Sequence, residues 1–239
     1  MTIARNIFIL AILLAPLPRL HADMMLVQVL EDLTNDTPTG KEQITLYVSG
    51  KHVRVDKGQS MTSIMLLDKK ITFSIMHEGR KYLIFPHPPA SDRDAKDAVA
   101  DADFLASAKV EATGKTEKIS GYQCKQVLIR DKKRGLTELW ISEAALDMKT
   151  FLAEFKSFMS FGLPPVMNAL DQHPELKGLP FRVIEYDGVK MARRSTITRL
   201  ETAPLPPAVF EVPAGYAEVK MSDFDIPPQP ERDPKHPKQ

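Results

Sequence analysis

Short apolar–polar alternations joined by tight turns fill the stretch from Gln43 to Pro86, and they restrict the fold more than any other feature. Ile44, Leu46 and Val48 alternate with polar or amphipathic neighbours, and a Ser-Gly-Lys turn leads into the next strand-like run, HVRVD. The runs SMTSIMLLD, ITFSIM and KYLIFP follow with connections of only a few residues. Because consecutive strands with short connections pair as hairpins, the sequence predicts an antiparallel meander.

The ITFSIM run predicts how this meander packs. Ile71, Phe73 and Ile75 point to one face of the sheet, whereas Thr72 and Ser74 point to the other. Successive side chains of a strand alternate between faces, and antiparallel sheets commonly bury one of them. We therefore expect one apolar face and one wet face.

A second group of strands is predicted in the later part of the chain. KISGYQCKQVLI and LTELWIS should pair around DKKRG, with Gly121 inside the first strand as a bulge or a point of close backbone approach. FRVIEYDG should pair with VKMARRSTITRLE around Asp187-Gly188. The run DMMLVQVLEDL fits a strand or a short helix equally well. APLPPAVFEVPAGY suits an edge or closing segment, and the Pro-, Ala- and Asp-rich residues 86–109 suit a surface excursion.

A phenylalanine-rich segment gives the clearest helix signal in the chain. Its apolar residues recur at helical i, i+3, i+4 spacing and form one stripe. The stripe consists of Met148, Phe151, Leu152, Phe155, Phe158 and Met159. Ser142 stands at the expected N-cap, Glu143 follows in the first turn, and Gly162 is placed to end the helix. With a second short helix after Pro164-Pro165, the predicted helical plug covers residues 143–172.

The predicted fold class is therefore α+β and mainly β: a curved antiparallel sheet or incomplete barrel wrapped around a helix. Both ends of the chain are predicted to lie outside this domain, which covers residues 23–221. Residues 1–22 have the features of a secretory signal peptide in the usual order: a positively charged residue, an apolar run and small residues at a cleavage site after Ala22. The proline-rich residues 222–239 suit a disordered tail.

The signal peptide predicts export from the cytoplasm. Its apolar run is shorter than the roughly 20 residues that span a bilayer, and the sequence has no later candidate, so no transmembrane span is predicted in the mature chain. The chain carries 32 basic and 31 acidic residues, and this balance argues against a nucleic-acid partner. Cys124 is the only cysteine; we expect it to be buried rather than reactive.

Motifs for enzyme chemistry are absent from the sequence. There is no HExxH, no GxSxG, no phosphate-binding glycine loop and no paired Cys-His spacing. The aspartates between residues 92 and 103 lack the glycine and closing glutamate of a calcium loop, so a solvated acidic face is favoured. His77 and Glu78 are predicted to be solvated turn residues. The sequence therefore predicts a non-enzymatic protein with no catalytic residue, metal or cofactor.

Several of these segments, in their order along the chain, resemble the bacterial envelope family known as domain of unknown function 4412. They are GKHVRVD, SIMLLD, KYLIFP, ATGKTEKISGYQCKQVLI and TELWIS, followed by the helix. The resemblance covers Gln43 to Leu163, and FEVPAGY at Phe210–Tyr216 resembles the closing segment of such domains. That family is similar in outline to the lipoprotein-carrier superfamily of LolA and LolB. The resemblance implies an incomplete antiparallel barrel, closed by helices, with a hydrophobic interior.

One element of the carriers has no counterpart here. The carriers' functional lid arginine corresponds to no residue in a recognisable motif, because Arg193 and Arg194 lie on a late predicted strand and Lys149 and Lys156 on the predicted helix. The resemblance therefore implies a binder of an apolar ligand and does not extend to lipoprotein transport.

Two functions remain open from the sequence. In the first, the protein binds a lipid or lipoprotein acyl chain in the sheet concavity. Burying each methylene of such a chain contributes about 0.8 kcal/mol of binding free energy, so the ligand needs no specific polar anchor. The residues predicted to bind the ligand are Phe151, Leu152, Phe155, Phe158, Met159, Phe161 and Trp140. In the second, the apolar helix simply fills the core, and the protein is a structural or regulatory module that binds another envelope protein.

Overall fold

The computed structural model describes residues 23–34, 40–86, 108–131, 135–145 and 176–223. In them the chain forms twelve strands: β1 (Met24–Asp32), β2 (Lys41–Ser49), β3 (His52–Lys57), β4 (Met61–Leu66), β5 (Ile71–Met76), β6 (Lys81–Pro86), β7 (Lys109–Ile119), β8 (Tyr122–Asp131), β9 (Gly135–Ser142), β10 (Leu179–Asp187), β11 (Lys190–Thr202) and β12 (Ala217–Glu218). Short 3₁₀ helices occur at Glu143–Ala145, Pro207–Phe210 and Met221–Asp223. The run that fitted a strand or a helix is thus a strand, β1.

Several predicted segments lie outside the described residues. These are the signal peptide over 1–22, the surface excursion from residue 87 to 107, and the tail beyond residue 223. The predicted helical plug begins as the 3₁₀ helix Glu143–Ala145, and its remainder is also outside. Ser142 ends β9, and within the described part of the chain its buried hydroxyl makes no hydrogen bond, so the capping bond expected of it is not formed there.

All twelve strands belong to one sheet, in the order β12-β6-β5-β4-β3-β2-β1-β11-β10-β9-β8-β7. Neighbours are antiparallel except for the parallel pair β12 and β6. Strands β2 to β6 form the predicted meander, which β1 extends by one strand, and β7 to β11 form a second meander that runs back to pair with β1. The connection from β6 to β7 therefore leads from one side of the sheet to the other.

The turn between β7 and β8 differs from the prediction. Ser120 and Gly121 form a two-residue hairpin turn, with φ of 49° and 89°, so KISGYQCKQVLI is two strands rather than one strand with a bulge. A two-residue hairpin turn requires positive φ at its central positions, and glycine adopts such values without strain. The bulge interpretation of Gly121 was wrong because a bulge and a tight turn share this glycine signal.

The sheet is curved, and its central core joins strands that are not neighbours. The buried residues of this central cluster are Met24, Leu26, Val48, Val53, Ile119, Cys124, Trp140, Leu179, Phe181 and Ile197. Ser120, on the turn between β7 and β8, donates a hydrogen bond from Oγ to the carbonyl oxygen of Ile197 on β11, at 2.6 Å, although β9 and β10 separate these strands. Register shifts in β7, β10 and β11 supply local bends. In the described part of the chain, β7 and β12 are edges, so the sheet is open rather than a closed barrel.

The C-terminal residues Leu205–Tyr216, here called the closing segment, cover one face of β3 to β6. Phe210 packs there with Ile64, Leu66 and Ile75, and β12 then pairs with the edge of β6. Ile71 and Phe73 are partly buried in the same cluster, so the predicted apolar face of the meander is confirmed. The prediction of a closing or edge segment is also confirmed.

The seam between β1 and β11 joins the two meanders and carries a buried carboxylate. Arg194 donates a hydrogen bond to Glu31, whose side chain is only 10% exposed, and Lys41 lies 3.1 Å from its other oxygen. The hydrogen bond from Arg194, aided by Lys41, holds the pKa of Glu31 at about 2, below the usual 4.5. This pair therefore links the two halves of the sheet electrostatically.

Replacing Glu31 should reveal this link as a pH dependence of stability. Because the folded-state pKa is depressed, the stabilisation is present above pH 4.5 and is lost as the pH falls towards 2. Glu31→Gln should lower the free energy of unfolding at pH 7 by about 1–2 kcal/mol, after allowance for solvent screening, and should flatten its fall below pH 4.5. Urea unfolding at pH 7, 4 and 3 measures both effects. The exposed pair of Glu201 with Arg199 is the control, and an equal effect of Glu201→Gln would contradict the prediction.

Candidate functional site

Of the residues predicted to bind a ligand, the structure describes Trp140. The other six, Phe151, Leu152, Phe155, Phe158, Met159 and Phe161, lie outside the described residues, and their role stays a prediction. Trp140 is 8% exposed and belongs to the central cluster. Its Nε1 donates a hydrogen bond to Glu138 Oε1 at 2.6 Å, and the Arg182 guanidinium lies 6.0 Å from the ring centroid. This environment makes Trp140 a packed core residue in the described structure.

A polar chain surrounds Trp140. Arg182 donates two hydrogen bonds to Glu117, at 2.9 and 3.0 Å, and Tyr186 donates one to Glu138 at 3.2 Å. Burial, and secondarily Glu138, raises the pKa of Tyr186 above its usual value. Because these side chains satisfy one another's hydrogen-bonding groups, this set of polar residues is a structural network and not an open polar site.

Cys124 lies in the central cluster and is fully buried, as predicted. Burial raises the pKa of its thiol, which disfavours the nucleophilic thiolate. No disulfide involves Cys124, and its position at 0% exposure keeps reagents away from the sulfur. The prediction of a buried structural cysteine is confirmed.

A second polar chain, which the sequence did not predict, fastens the closing segment to the sheet. Thr62 donates a hydrogen bond to Asp56 Oδ1 at 2.5 Å, and its Oγ1 also contacts His77 Nε2 at 2.9 Å. Since the hydroxyl proton is used on Asp56, His77 Nε2 donates to Thr62, and His77 Nδ1 lies 2.7 Å from the hydroxyl oxygen of Tyr216, within hydrogen-bonding distance. Thr62 is 1% exposed, whereas Asp56, His77 and Tyr216 are half-buried. The prediction that His77 is solvated was wrong: its partners are distant in sequence, so no local motif marks them.

A partly exposed apolar surface lies on the other face of this part of the sheet. We call it the inner face, defined as the face of β1 to β6 that carries Met24, Leu26, Val48 and Val53. These four residues pack with residues of β8 to β11 in the central cluster. Over β3 to β6, the strand registers place three rows of side chains on this face. The rows are Lys57-Met61-Met76-Lys81, Val55-Ser63-Ser74-Leu83 and Val53-Met65-Thr72-Phe85.

The two faces of β4 differ in burial. On the face under the closing segment, Thr62, Ile64 and Leu66 are all buried, whereas on the inner face Met61 is 37% exposed and Met65 is half-buried. The same half-buried state holds for the inner-face residues Met76, Leu83 and Phe85. Partly exposed, contiguous apolar side chains commonly mark a binding surface. The inner face of β4 to β6 is therefore the candidate functional site.

Metal chemistry finds no support in this part of the chain. The described residues contain no group of three or more His, Cys, Asp or Glu side chains arranged to hold a metal ion. A helix long and apolar enough to cross a bilayer is likewise not found among the residues that the structure describes.

Comparison with known families gives one decisive match. The family described as domain of unknown function (DUF4412) matches residues 30–216, which is most of the chain. This chain belongs to the DUF4412 family. The match confirms the resemblance read from the strand segments, and it extends that resemblance from Leu163 to the closing segment. No curated protein matches the sequence.

Solved structures with a similar course of the chain come from diverse proteins. An uncharacterized conserved protein from Thermus thermophilus shares 10% identity at a TM-score of 0.46, over 84% of this chain and 91% of that one. MucB, in its complex with MucA(peri), shares 12% identity at a TM-score of 0.45, over 82% of this DUF4412 chain and 56% of MucB. A LolA superfamily protein from Nitrosomonas europaea shares 10% identity at 0.32, over 80% and 90% of the two chains.

Proposed function

We propose that this protein binds an apolar ligand, a lipid or an acyl chain, on the inner face of β4 to β6, and that it does so without catalysing a reaction. The observation that carries the proposal is the contrast in burial across β4. The closing segment buries Thr62, Ile64 and Leu66 on one face of β4, while Met61 on the other face is 37% exposed although its side chain is apolar. The contrast is confined to β4, because Ile84 on β6, on the same face as the closing segment, is 40% exposed.

Methionine side chains suit this role. Met61, Met65 and Met76 are flexible and polarisable, so they can adapt to a chain-like ligand whose shape varies. The phenylalanine stripe predicted from Phe151 to Met159 supplies a second apolar wall in this proposal. Trp140, packed in the central cluster, supports the sheet rather than contacting the ligand. We further propose that the protein acts in the periplasm after removal of residues 1–22.

Met61→Asp tests the proposal, because Met61 is partly exposed and its replacement should not disturb packing. A bound acyl chain would remove water from the new carboxylate, which costs free energy. The affinity for dodecanol should therefore fall at least tenfold, and less lipid should co-purify with the protein. Isothermal titration calorimetry and native mass spectrometry measure the two effects.

Met191→Asp is the matched control for this experiment. Met191 is 42% exposed, on β11 beside the turn after β10, away from the inner face of β4 to β6. Equal affinities of wild type, Met61→Asp and Met191→Asp would place the ligand elsewhere. A protein that binds no amphiphile, yet captures an envelope protein through an unchanged inner face, would favour the alternative role as a protein-binding module.

A further inference from the structure

The edge of β6 carries an apolar side chain that the closing segment leaves exposed. Ile84 is 40% exposed, and it is not among the residues that pack with the closing segment. It lies directly opposite Phe73 on β5, which is half-buried, and the centroids of the Phe73 and Tyr82 rings are 6.1 Å apart. Ile71 and Pro86 form the next pair on the same face. The apolar surface of β5 and β6 therefore continues past the closing segment to the edge of the sheet.

The main chain at Ile84 is open as well. β12 pairs with β6 at Lys81 and Tyr82, and the amide of Val219 donates a hydrogen bond to the carbonyl oxygen of Tyr82 at 2.9 Å. Successive residues of an antiparallel strand direct their main-chain groups to opposite sides, so those of Ile84 point to the same side as those of Tyr82. In the part of the chain that the structure describes, no strand pairs with Ile84 on that side. One N–H and one C=O are therefore available beside an exposed apolar side chain.

We propose that the edge of β6 at Ile84 binds an extended segment of another polypeptide, which adds a strand to the sheet. In this mode of recognition, main-chain hydrogen bonds supply affinity and alternate side chains supply specificity. The short pair of β12 with β6 shows that this edge accepts a strand, and the added strand continues the same line past Tyr82. Its residue opposite Ile84 lies on the same face as Ile84 and is apolar. This inference is independent of the proposed function, because Ile84 and Met61 lie on opposite faces.

Exposed basic residues outnumber acidic residues around this stretch of β6. They are Arg80 and Lys81 before it, and Lys69 and Lys70 in the turn that leads into β5. Because Ile71 pairs with Pro86, that turn lies near the far end of β6. The acidic residues nearby are Glu78, Asp68 and Glu218. A segment with acidic residues on both sides of an apolar centre therefore matches the charge of this edge.

A second copy of this chain fits the edge poorly. Two copies paired antiparallel about Ile84 would place Pro86 of one copy beside Tyr82 of the other, where β12 already lies. The same pairing would bring Lys81 of one copy towards Lys70 of the other, and like charges repel. These two conflicts favour a different polypeptide as the partner.

Three designed peptides test the inference on the full chain. Acetyl-Asp-Asp-Val-Phe-Val-Asp-Asp-amide has an apolar centre between acidic ends. A second peptide differs by an N-methyl group on phenylalanine, which removes the central N–H, and a third has lysine in place of every aspartate. We expect the first peptide to bind at least about tenfold more tightly than either of the others, because they lose main-chain hydrogen bonds or charge complementarity. Isothermal titration calorimetry measures the affinities, and hydrogen exchange at the Ile84 amide should slow when the first peptide is bound.

Two substitutions at Ile84 separate its side chain from its N–H. Ile84→Ala and Ile84→Pro both remove most of the exposed side chain, but only proline removes the N–H that points away from β5. Ile84→Ala should weaken binding of the acidic peptide about threefold to tenfold, and Ile84→Pro should weaken it at least about tenfold further. Lys118→Gln, at an exposed lysine of β7, is the control and should leave the affinity unchanged. Thermal denaturation verifies that each variant folds.

Several results would overturn the proposal. Equal affinities of the three peptides, or an Ile84→Pro variant that binds as tightly as Ile84→Ala, would refute strand addition at this edge. If Phe224→Asp makes the full chain bind the acidic peptide more tightly, the chain's own C-terminal residues are the occupant. If sedimentation shows a dimer that Ile84→Asp abolishes, the occupant is a second copy. None of these results bears on dodecanol binding at Met61, so the proposed function is tested separately.

Discussion

Gly178→Ala is expected to cause the largest loss of stability of any conservative substitution in the described structure, about 3 kcal/mol or more. Gly178 leads into β10 with φ of 111°, a backbone conformation that side chains rarely allow. A Cβ there would overlap the carbonyl oxygen of Ser142 at the end of β9 and would lie 2.7 Å from its carbonyl carbon. Since both contacts are with backbone, relief requires moving the strand pair. Chemical denaturation of the purified protein measures the loss.

Gly188→Ala provides the matched control. Gly188 also has a positive φ, of 60°, but a Cβ there meets nothing within 4 Å, so only the cost of a left-handed conformation remains, about 1 kcal/mol. Equal losses for the two variants would show that the contact with Ser142 does not matter.

Phe210→Ala is expected to destabilise the protein by about 3–5 kcal/mol, the range for a buried phenylalanine. Phe210 is the anchor of the closing segment: it is 6% exposed among Ile64, Leu66 and Ile75, and it lies 5.6 Å from the His52 ring. Partly buried apolar residues such as Leu205 and Val212 also pack there, and Arg54 donates a hydrogen bond to the carbonyl of Val209 at 3.0 Å. Urea unfolding measures the loss in stability.

Hydrogen exchange adds a local measure to the Phe210 prediction. The amides of Ala217 and Val219, which donate to the carbonyls of Arg80 and Tyr82 at 2.9 Å, should lose protection more than the amides of β1. Val189→Ala is the control, because Val189 is 96% exposed and its truncation should change stability by less than about 0.5 kcal/mol. A loss below about 1 kcal/mol for Phe210→Ala would mean that the polar contacts, and not Phe210, hold the closing segment.

Local patterns in the sequence were sufficient for the strands and for the family. Alternation in runs such as ITFSIM specified both the strand and the face that it buries, and Asp187-Gly188 specified its turn, because both signals depend only on neighbouring residues. Gly121 shows the limit of such signals: a positive φ is compatible with a bulge and with a tight turn, and only pairing between β7 and β8 distinguishes them.

The candidate site could be predicted only in part. The sequence predicted an apolar ligand site on the phenylalanine stripe and Trp140, and the stripe lies outside the described residues, so its role stays a prediction. The site that we propose lies on Met61 and Met76 instead. The sequence did not indicate that Trp140 is packed in the core, because members of its cluster such as Met24 and Ile197 are distant in sequence. The methionines were missed because a strand with apolar residues on both faces gives no clear period-two signal.

The sequence by itself determined the antiparallel meander, the membership of the DUF4412 family and the burial of Cys124, since each depends on residue types and their order. Only the tertiary structure decided that the second meander returns to pair with β1, that the closing segment covers one face of β3 to β6, and that the opposite face stays partly open between Lys57 and Lys81. The physical reason is that the packing of distant segments decides which face of a sheet is covered. Hydrophobicity, which is not directional, does not specify that partner.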